Sequence, residues 1–289
     1  MPEILAQGWI PDLDLAGGIE TVVDWLQDSL GVVFTLVRDV VGWGVEQTET
    51  LLTLLPTAAM IVVLTLIAFA AKRWAFAAFT AVAFTFIATL GLFEDTMLTL
   101  ALVLVAALLA VVIGVPVGIL AARNDTVSAA VKPVLDFMQT MPSFIYLLLA
   151  VVFFRIGVVP GTISSLVFAM PPAVRLTELG IRQVDAEVVE AAEAFGARPR
   201  EVLTGVQLPL ARASIMAGVN QVIMLALSMV VIAGLAGAGG LGERVVSGVQ
   251  RLQVGLGVEA GLAVVILAIF LDRATAAFGT GARHRTGTS

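Results

Sequence analysis

The sequence contains no cysteine, one histidine and one tyrosine among 289 residues, and only 13% of its residues are charged. Without cysteine there is no disulfide staple, no thiolate metal site and no cysteine nucleophile. The one histidine, His284, lies in a small polar tail with no carboxylate or second imidazole near it in sequence. No apolar segment carries a pair of carboxylates, so neither a catalytic set nor a metal-binding set is legible, and an enzyme reading has no residues to stand on. The charged share is about half of the ~25% usual in soluble domains. The first residues, "MPEILAQGWIPDLDLAGG", lack a basic stretch followed by an apolar core, so no cleaved signal peptide is expected.

What the chain has instead is apolar length: 59% of it is hydrophobic. Apolar runs near twenty residues recur, and ~20 helical residues cross a hydrocarbon layer of ~30 Å. The expected fold is therefore an all-α, polytopic membrane protein. Seven spans are predicted, at 51–71, 75–93, 97–121, 137–156, 158–177, 213–233 and 256–272. They are preceded by an amphipathic helix over 19–41, with Ile19, Val22, Val23, Leu26, Leu30, Val33, Phe34 and Val37 on one side and Glu20, Asp24, Gln27, Asp28 and Arg38 on the other. Such a helix is expected to lie in the plane of the interface.

Basic residues set the orientation. With the N-terminus outside, the inner loops and tail hold Lys72, Arg73, Arg123, Lys132, Arg175, Arg182, Arg198, Arg200, Arg212, Arg273, Arg283 and Arg285, which is twelve of the sixteen. Arg38, Arg155, Arg244 and Arg251 stay outside. The imbalance gives an outside N-terminus and a cytoplasmic C-terminus. Three regions follow: an external segment 1–50 bearing the amphipathic helix, a transmembrane domain 51–273 and a cytosolic tail 274–289, whose small, polar, basic composition predicts disorder. In the third span, "GVPVG" places Gly114 and Gly118 on one helix face, which permits close helix approach, and packing within the chain is the expected use.

One stretch is out of character. "EAAEAFGARPREVLTGVQLP", Glu190 to Pro209, is short, charged and cytosolic in this topology. Asp185 is placed to cap a helix N-terminus, and Gly196 to end that helix with a positive φ. Pro199 suits the first turn of a second helix, which "LP" at 208–209 is expected to end. Two helices at a fixed angle would present Ala191 and Ala192, ringed by Glu190, Glu193, Arg198, Arg200 and Glu201.

The spacing E-A-A, three residues, G, nine residues, an aliphatic, one residue, L-P resembles the EAA signature of the membrane subunits of bacterial ABC importers. The matching positions are Glu190, Ala191, Ala192, Gly196, Val206, Leu208 and Pro209. From Met138 to Gly279 the chain is similar to the glycine betaine/proline betaine permeases of osmoprotectant uptake. The resemblance implies a type I ABC importer permease fold, with the loop 178–212 acting as a coupling element. Its contact residues would be Glu190, Ala191, Ala192, Glu193, Gly196, Arg198, Leu208 and Pro209. It implies a second copy of the chain, two ATPase subunits that bind ATP and magnesium, a separate extracytoplasmic solute receptor and surrounding lipid in a bacterial plasma membrane. No cofactor on this chain and no nucleic acid are implied.

Solute-pathway residues are drawn from polar and soft positions within the spans: Met141, Pro142 and Phe144 in the fourth, and Asn220, Gln221, Met224 and Ser228 in the sixth. Interhelical packing is the competing use of each. A betaine is neutral overall and needs no buried counter-charge, and no span is expected to carry a charge near its centre. That pattern speaks against an ion-coupled carrier or channel. An importer for another small polar solute, such as an amino acid or choline, stays open. The stretch "GLAGAGGLGERV" lacks the G-K-[ST] ending of a P-loop and is expected to form a re-entrant or outer-gate turn. The topology predicts that a reporter fused at residue 5 is reached only from the outer face and one at residue 285 only from the cytosol. Opposite labelling would overturn the orientation.

Overall fold

The computed structural model describes residues 15–72 and 74–280, and all regular structure among them is helical. Three helices form the frame: α4 (Phe93–Arg123), α7 (Val158–Arg182) and α10 (Leu208–Ala233). The middle one, α7, is rich in residues that lipid would not solvate well. Thr162, Ser164, Ser165, Thr177 and Glu178 are all buried, and between Val158 and Ile181 only Leu179 is exposed. Its serine hydroxyls donate back to the carbonyl of Gly161, which satisfies them within the helix.

Close approach is what buries α7. A Cβ added to Gly114 of α4 would stand 2.7 Å from the Cβ of Ala173, and one on Gly118 would stand 2.6 Å from the carbonyl oxygen of Val174. On the opposite side, a Cβ on Gly218 of α10 would meet the carbonyl oxygen of Pro172 at 3.1 Å. A Cβ on Gly180 of α7 would meet that of Ser214 at 2.7 Å. Small residues therefore let three backbones come together, and the "GVPVG" face packs within the chain as expected.

The remaining helices wrap this frame. α1 (Leu15–Thr53) and α2 (Thr57–Lys72) meet at a bend of 100° just before Thr57. Pro56 sits in that bend and cannot continue a helix from the residues before it. α1 is longer than the expected amphipathic helix and takes in residues 51–53 of the expected first span. Phe34 stacks on Phe153 at 4.7 Å, which ties α1 to the neighbouring α6 (Ser143–Phe154). α3 (Trp74–Thr89) leans on α12 (Val254–Thr280), where Phe270 meets Phe76 and Phe84 at 5.9 and 5.2 Å.

The expected fourth span, 137–156, is not one helix. α5 (Asp125–Thr140) and α6 (Ser143–Phe154) are bent by 98° at Met141 and Pro142. α6 alone, at 1.5 Å per residue, is ~18 Å long, short of a ~30 Å layer. Among the described residues three helical stretches are long and apolar enough to cross a membrane, Phe93–Arg123, Pro199–Ala236 and Val254–Ala277, or up to five if each bent pair is one span. Of the expected segments 75–93 and 158–177, the first is helical up to Thr89 and the second throughout, but α3 is short and α7 is too polar to qualify by composition. The polarity of α7 is tolerated because α4 and α10 cover it. At the C-terminal end, α12 continues to Thr280, so residues 274–280 are helical where a disordered tail was expected. His284, the rest of that tail and the first fourteen residues lie outside the described residues.

The glycine contacts make a direct prediction. Gly118→Val should lower the unfolding temperature of the purified protein, at a cost of about 1–3 kcal/mol for overpacking. Gly261→Ala, where no atom lies within 4 Å of an added Cβ, should leave it unchanged or raise it slightly. Equal unfolding temperatures for Gly118→Val and the unaltered chain would mean that α4 and α7 do not meet this closely.

Candidate functional site

At one end of the frame the chain leaves α7, makes an elbow and returns as α10. The exit is braced by charge. Glu178, nearly buried, accepts the hydroxyl of Ser128 at 2.7 Å and lies 3.0 Å from Nε of Arg182. Arg182 also donates to the carboxylate of Asp125 at 2.7 Å and to the carbonyl of Ala121 at 2.8 Å. Its hydrogen bond to the Asp125 carboxylate raises the Arg182 guanidinium pKa above its ordinary value. A turn away, Arg175 pairs with Asp136 of α5. The Gly180–Ser214 contact holds the base of the elbow shut across α7 and α10.

The elbow itself is α8 (Ala186–Ala194) followed by α9 (Pro199–Val202). Asp185 caps α8 by accepting the N–H of Glu187 at 2.9 Å. At the other end Gly196 has φ +86°, its N–H donates to the Glu193 carbonyl and the Ala197 N–H to that of Ala192. This paired arrangement is a Schellman motif, and it fixes the direction in which the chain leaves α8. Pro199 opens α9 as expected, and Glu201 accepts the backbone N–H of Arg198 at 2.7 Å. Val202, 3% exposed, anchors the turn.

"LP" at 208–209 does not end the second helix. Residues Leu203–Gln207 form a π-helical turn in which the N–H of Leu208 reaches back to the Leu203 carbonyl, and the helix runs on into α10. Pro209 has no N–H to offer the carbonyl four residues behind it, and the widened turn absorbs that loss.

No residue of α8 is buried. Glu190, Ala191 and Glu193 are exposed, as are Gly196, Arg198 and Arg200, while Ala192 is half-buried. Beside them Phe195 is 94% exposed, with Val188 also open. Phe195 was not singled out from sequence. The signal was there to find: a bulky aromatic in a short polar loop, one residue before the helix-ending glycine, has no bland use. A helix with no buried residue and an uncovered aromatic at its tip has the composition of a docking surface.

The positions proposed to line a solute pathway divide. Gln221 and Ser228 are exposed on α10, on a face that also carries exposed Ala213 and Ala217, two positions not singled out from sequence, and Phe144 is exposed on α6 beside exposed Pro142. Met141 instead packs with Tyr146 and the α10 residues Met229 and Ala233. Met224 leans on the main core. Asn220 turns to α12, donating to Asp272 at 2.9 Å and accepting the Thr275 hydroxyl at 2.5 Å. So Asn220 and Met224 are partly covered by the chain's own helices where Ser228 is open, and Asp272 of α12 lies beside the middle of α10. Its hydrogen bond to Asn220 gives the carboxylate a partner where lipid offers none.

At the far end of the frame the glycine-rich stretch folds into a 3-10 turn (Gly234–Ala236) and then α11 (Gly240–Gln250). Gly239 and Gly240 have φ of +77° and +65°. This lets the Leu241 N–H reach the Thr99 hydroxyl oxygen at 2.8 Å, and Arg244 pairs with Asp95 at 2.9 Å. The turn is seated on the start of α4.

Residues 114–284 match the family model described as the binding-protein-dependent transport system inner membrane component. The chain belongs to this family. Over nearly its full length this transport component is similar to named relatives. It is 47% identical to the glycine betaine transport system permease protein OpuAB of Bacillus subtilis, across 92% of this chain and 94% of that one. It is 48% identical to the glycine betaine/carnitine transport permease protein GbuB of Listeria monocytogenes, across 95% and 98%. It is 46% identical to the glycine betaine/proline betaine transport system permease protein ProW of Escherichia coli, across 91% and 74%. Among solved structures, an inward-facing form of the MetNI methionine ABC transporter superposes with a TM-score of 0.59 over 65% of this chain and 94% of that one, at 23% identity. That likeness concerns the fold, which is the type I ABC importer permease fold expected from sequence.

Proposed function

We propose that this inner-membrane component is the permease subunit of an ATP-driven importer for glycine betaine or a related quaternary ammonium solute. The observation that carries the coupling half of this reading is α8, a capped helix with no buried residue, aimed by Gly196 and tipped by Phe195. Such a helix has its binding face free for a separate subunit, here an ATPase that carries ATP and magnesium. Ala191 lets the two backbones approach, Phe195 fills a pocket on the partner, and Glu190, Glu193 and Arg198 set the angle by charge. Because one chain supplies one such helix, the assembly holds two copies of the chain and two ATPases, served by an extracytoplasmic binding protein.

The solute half rests on the three betaine-transporting relatives and on the chemistry of the exposed α10 face. A zwitterion with no net charge can pass along Gln221, Ser228 and small alanines without a fixed counter-ion, while Phe144 offers a ring face to a methylated ammonium. This reading assigns the face of α10 left uncovered by its own chain to the path between two copies. The N-terminus is placed outside by the distribution of basic residues, which puts α8 in the cytosol with the ATPase.

Reconstituted with its ATPase and binding protein in proteoliposomes, the unaltered chain should take up radiolabelled glycine betaine with ATP hydrolysis. Gly196→Val places a branched side chain in the left-handed region, at a cost of about 1–2 kcal/mol, and should reduce uptake and receptor-stimulated hydrolysis together by about tenfold or more. Ala191→Arg should be at least as severe, and Phe195→Ala should weaken ATPase binding, all with normal membrane insertion. Normal uptake in the Gly196 and Ala191 variants would remove the coupling role. Uptake of an amino acid that glycine betaine does not compete with would remove the solute assignment.

A further inference from the structure

A groove on the outside of the bundle runs between α3 and α12, separate from the elbow and from the open face of α10. At one end stand Lys72, the last residue of α2, and Arg273 of α12, both exposed. Among the described residues neither side chain has a hydrogen-bond or ion-pair partner. Between them Ala75, Phe76, Phe79 and Ile269 line a cavity of about 370 Å³. Phe79 also lines a second cavity of about 490 Å³ with Ala78, Val82, Phe86 and Ile266, so the two adjoin at Phe79 and follow one another along α3. The second cavity is walled by apolar side chains alone.

Two cations set above a long apolar trough exceed what a soluble anion requires. They match a molecule with an anionic head and a hydrocarbon tail. From Ala75 to Phe86 the helix advances ~16 Å at 1.5 Å per residue, about one leaflet of a ~30 Å hydrocarbon layer. Trp74, 75% exposed beside Lys72, marks that end as the level of the headgroups. The floor is firm, because Phe270 is wedged between Phe76 and Phe84. A zwitterionic headgroup would bring its own ammonium against Lys72 and Arg273, whereas a net-anionic phosphate would not.

We propose that this groove binds one anionic phospholipid, its phosphate between Lys72 and Arg273 and an acyl chain along α3 past Phe79 toward Phe86. The site does not depend on the transported solute or on the ATPase.

Native mass spectrometry of the full-length chain, released from detergent after titration with phosphatidylglycerol or phosphatidylcholine of the same acyl composition, tests it. Phosphatidylglycerol should be retained as one adduct per chain at about tenfold lower concentration than phosphatidylcholine. Lys72→Gln with Arg273→Gln should bring the two lipids level. Ala78→Trp, which fills the trough and leaves both cations in place, should also cut retention of phosphatidylglycerol. All variants should keep the helical circular dichroism of the unaltered chain, since the changed positions are exposed. Undiminished retention by the double variant, or equal retention of the two lipids, would overturn the proposal. So would displacement of the lipid by inorganic phosphate with no effect of Ala78→Trp, which would mark a simple anion site. A Val82→Cys variant that cross-links to a second copy across the groove would overturn it in favour of a chain–chain interface.

Discussion

The structure depends on the close seating of α7 between α4 and α10. Gly114 and Gly118 let α4 approach one side, while Gly218 and Gly180 let α7 and α10 close on the other. In lipid, helices gain nothing by simply hiding apolar surface from hydrocarbon, so van der Waals fit and internal hydrogen bonds must do the holding. Small residues supply the fit. The hydroxyls of Ser164 and Ser165, satisfied by their own helix, are tolerated because no lipid reaches them. The same seating continues to the end of α7, where Glu178, Arg182, Ser128 and Asp125 brace the exit and Gly180 rests on Ser214. The elbow is thus mounted on two helices that behave as one body. The second helix of the elbow is continuous with the frame, since α9 runs through the π turn into α10.

The same frame separates the uses of α10. Its inward face, with Gly218 and Val222, belongs to α7 and the core, and Asn220 turns sideways to Asp272 and Thr275 on α12. Its outward face, with Ala217, Gln221 and Ser228, is left uncovered. The half-buried polar network and the open polar face lie on one helix, the first tied to α12 and the second left without a partner in its own chain. Glycine geometry recurs at the opposite end, where positive φ at Gly239 and Gly240 seats α11 on α4 through Thr99. Both ends of the frame therefore use glycine where the chain must reverse against a packed helix.

Much of this was legible from residue order. Apolar length gave the helices, and the match of Glu190 through Pro209 to a known spacing located the elbow. Cap chemistry at Asp185, Gly196 and Pro199 gave its shape, because each of those residues is chosen by local backbone geometry. What stayed hidden was direction. Pro142 marks a kink in the expected fourth span, but hydropathy counts apolar residues without saying which way a helix points, so the 98° size of the turn at Met141 and Pro142 was not legible. Composition also hid α7 as a polar helix made safe by its neighbours. Pro209 reads as a helix end from sequence, yet a π turn carries the helix past it. Asn220 and Ser228 share a polar character that places them on one stripe, but the hydrogen bond to Asp272 belongs to a helix fifty-two residues away and no local pattern records it.

The central claim is that α8, aimed from a rigid α7–α10 base, is where the partner ATPase seats. Its most direct test is site-specific photo-cross-linking in the assembled complex. A photoreactive phenylalanine analogue at position 195 should form an adduct with the ATPase subunit. The same group at Leu252, which is 87% exposed near the far end of the frame, should form none. An ATPase adduct from position 252, with position 195 unreacted, would contradict the account.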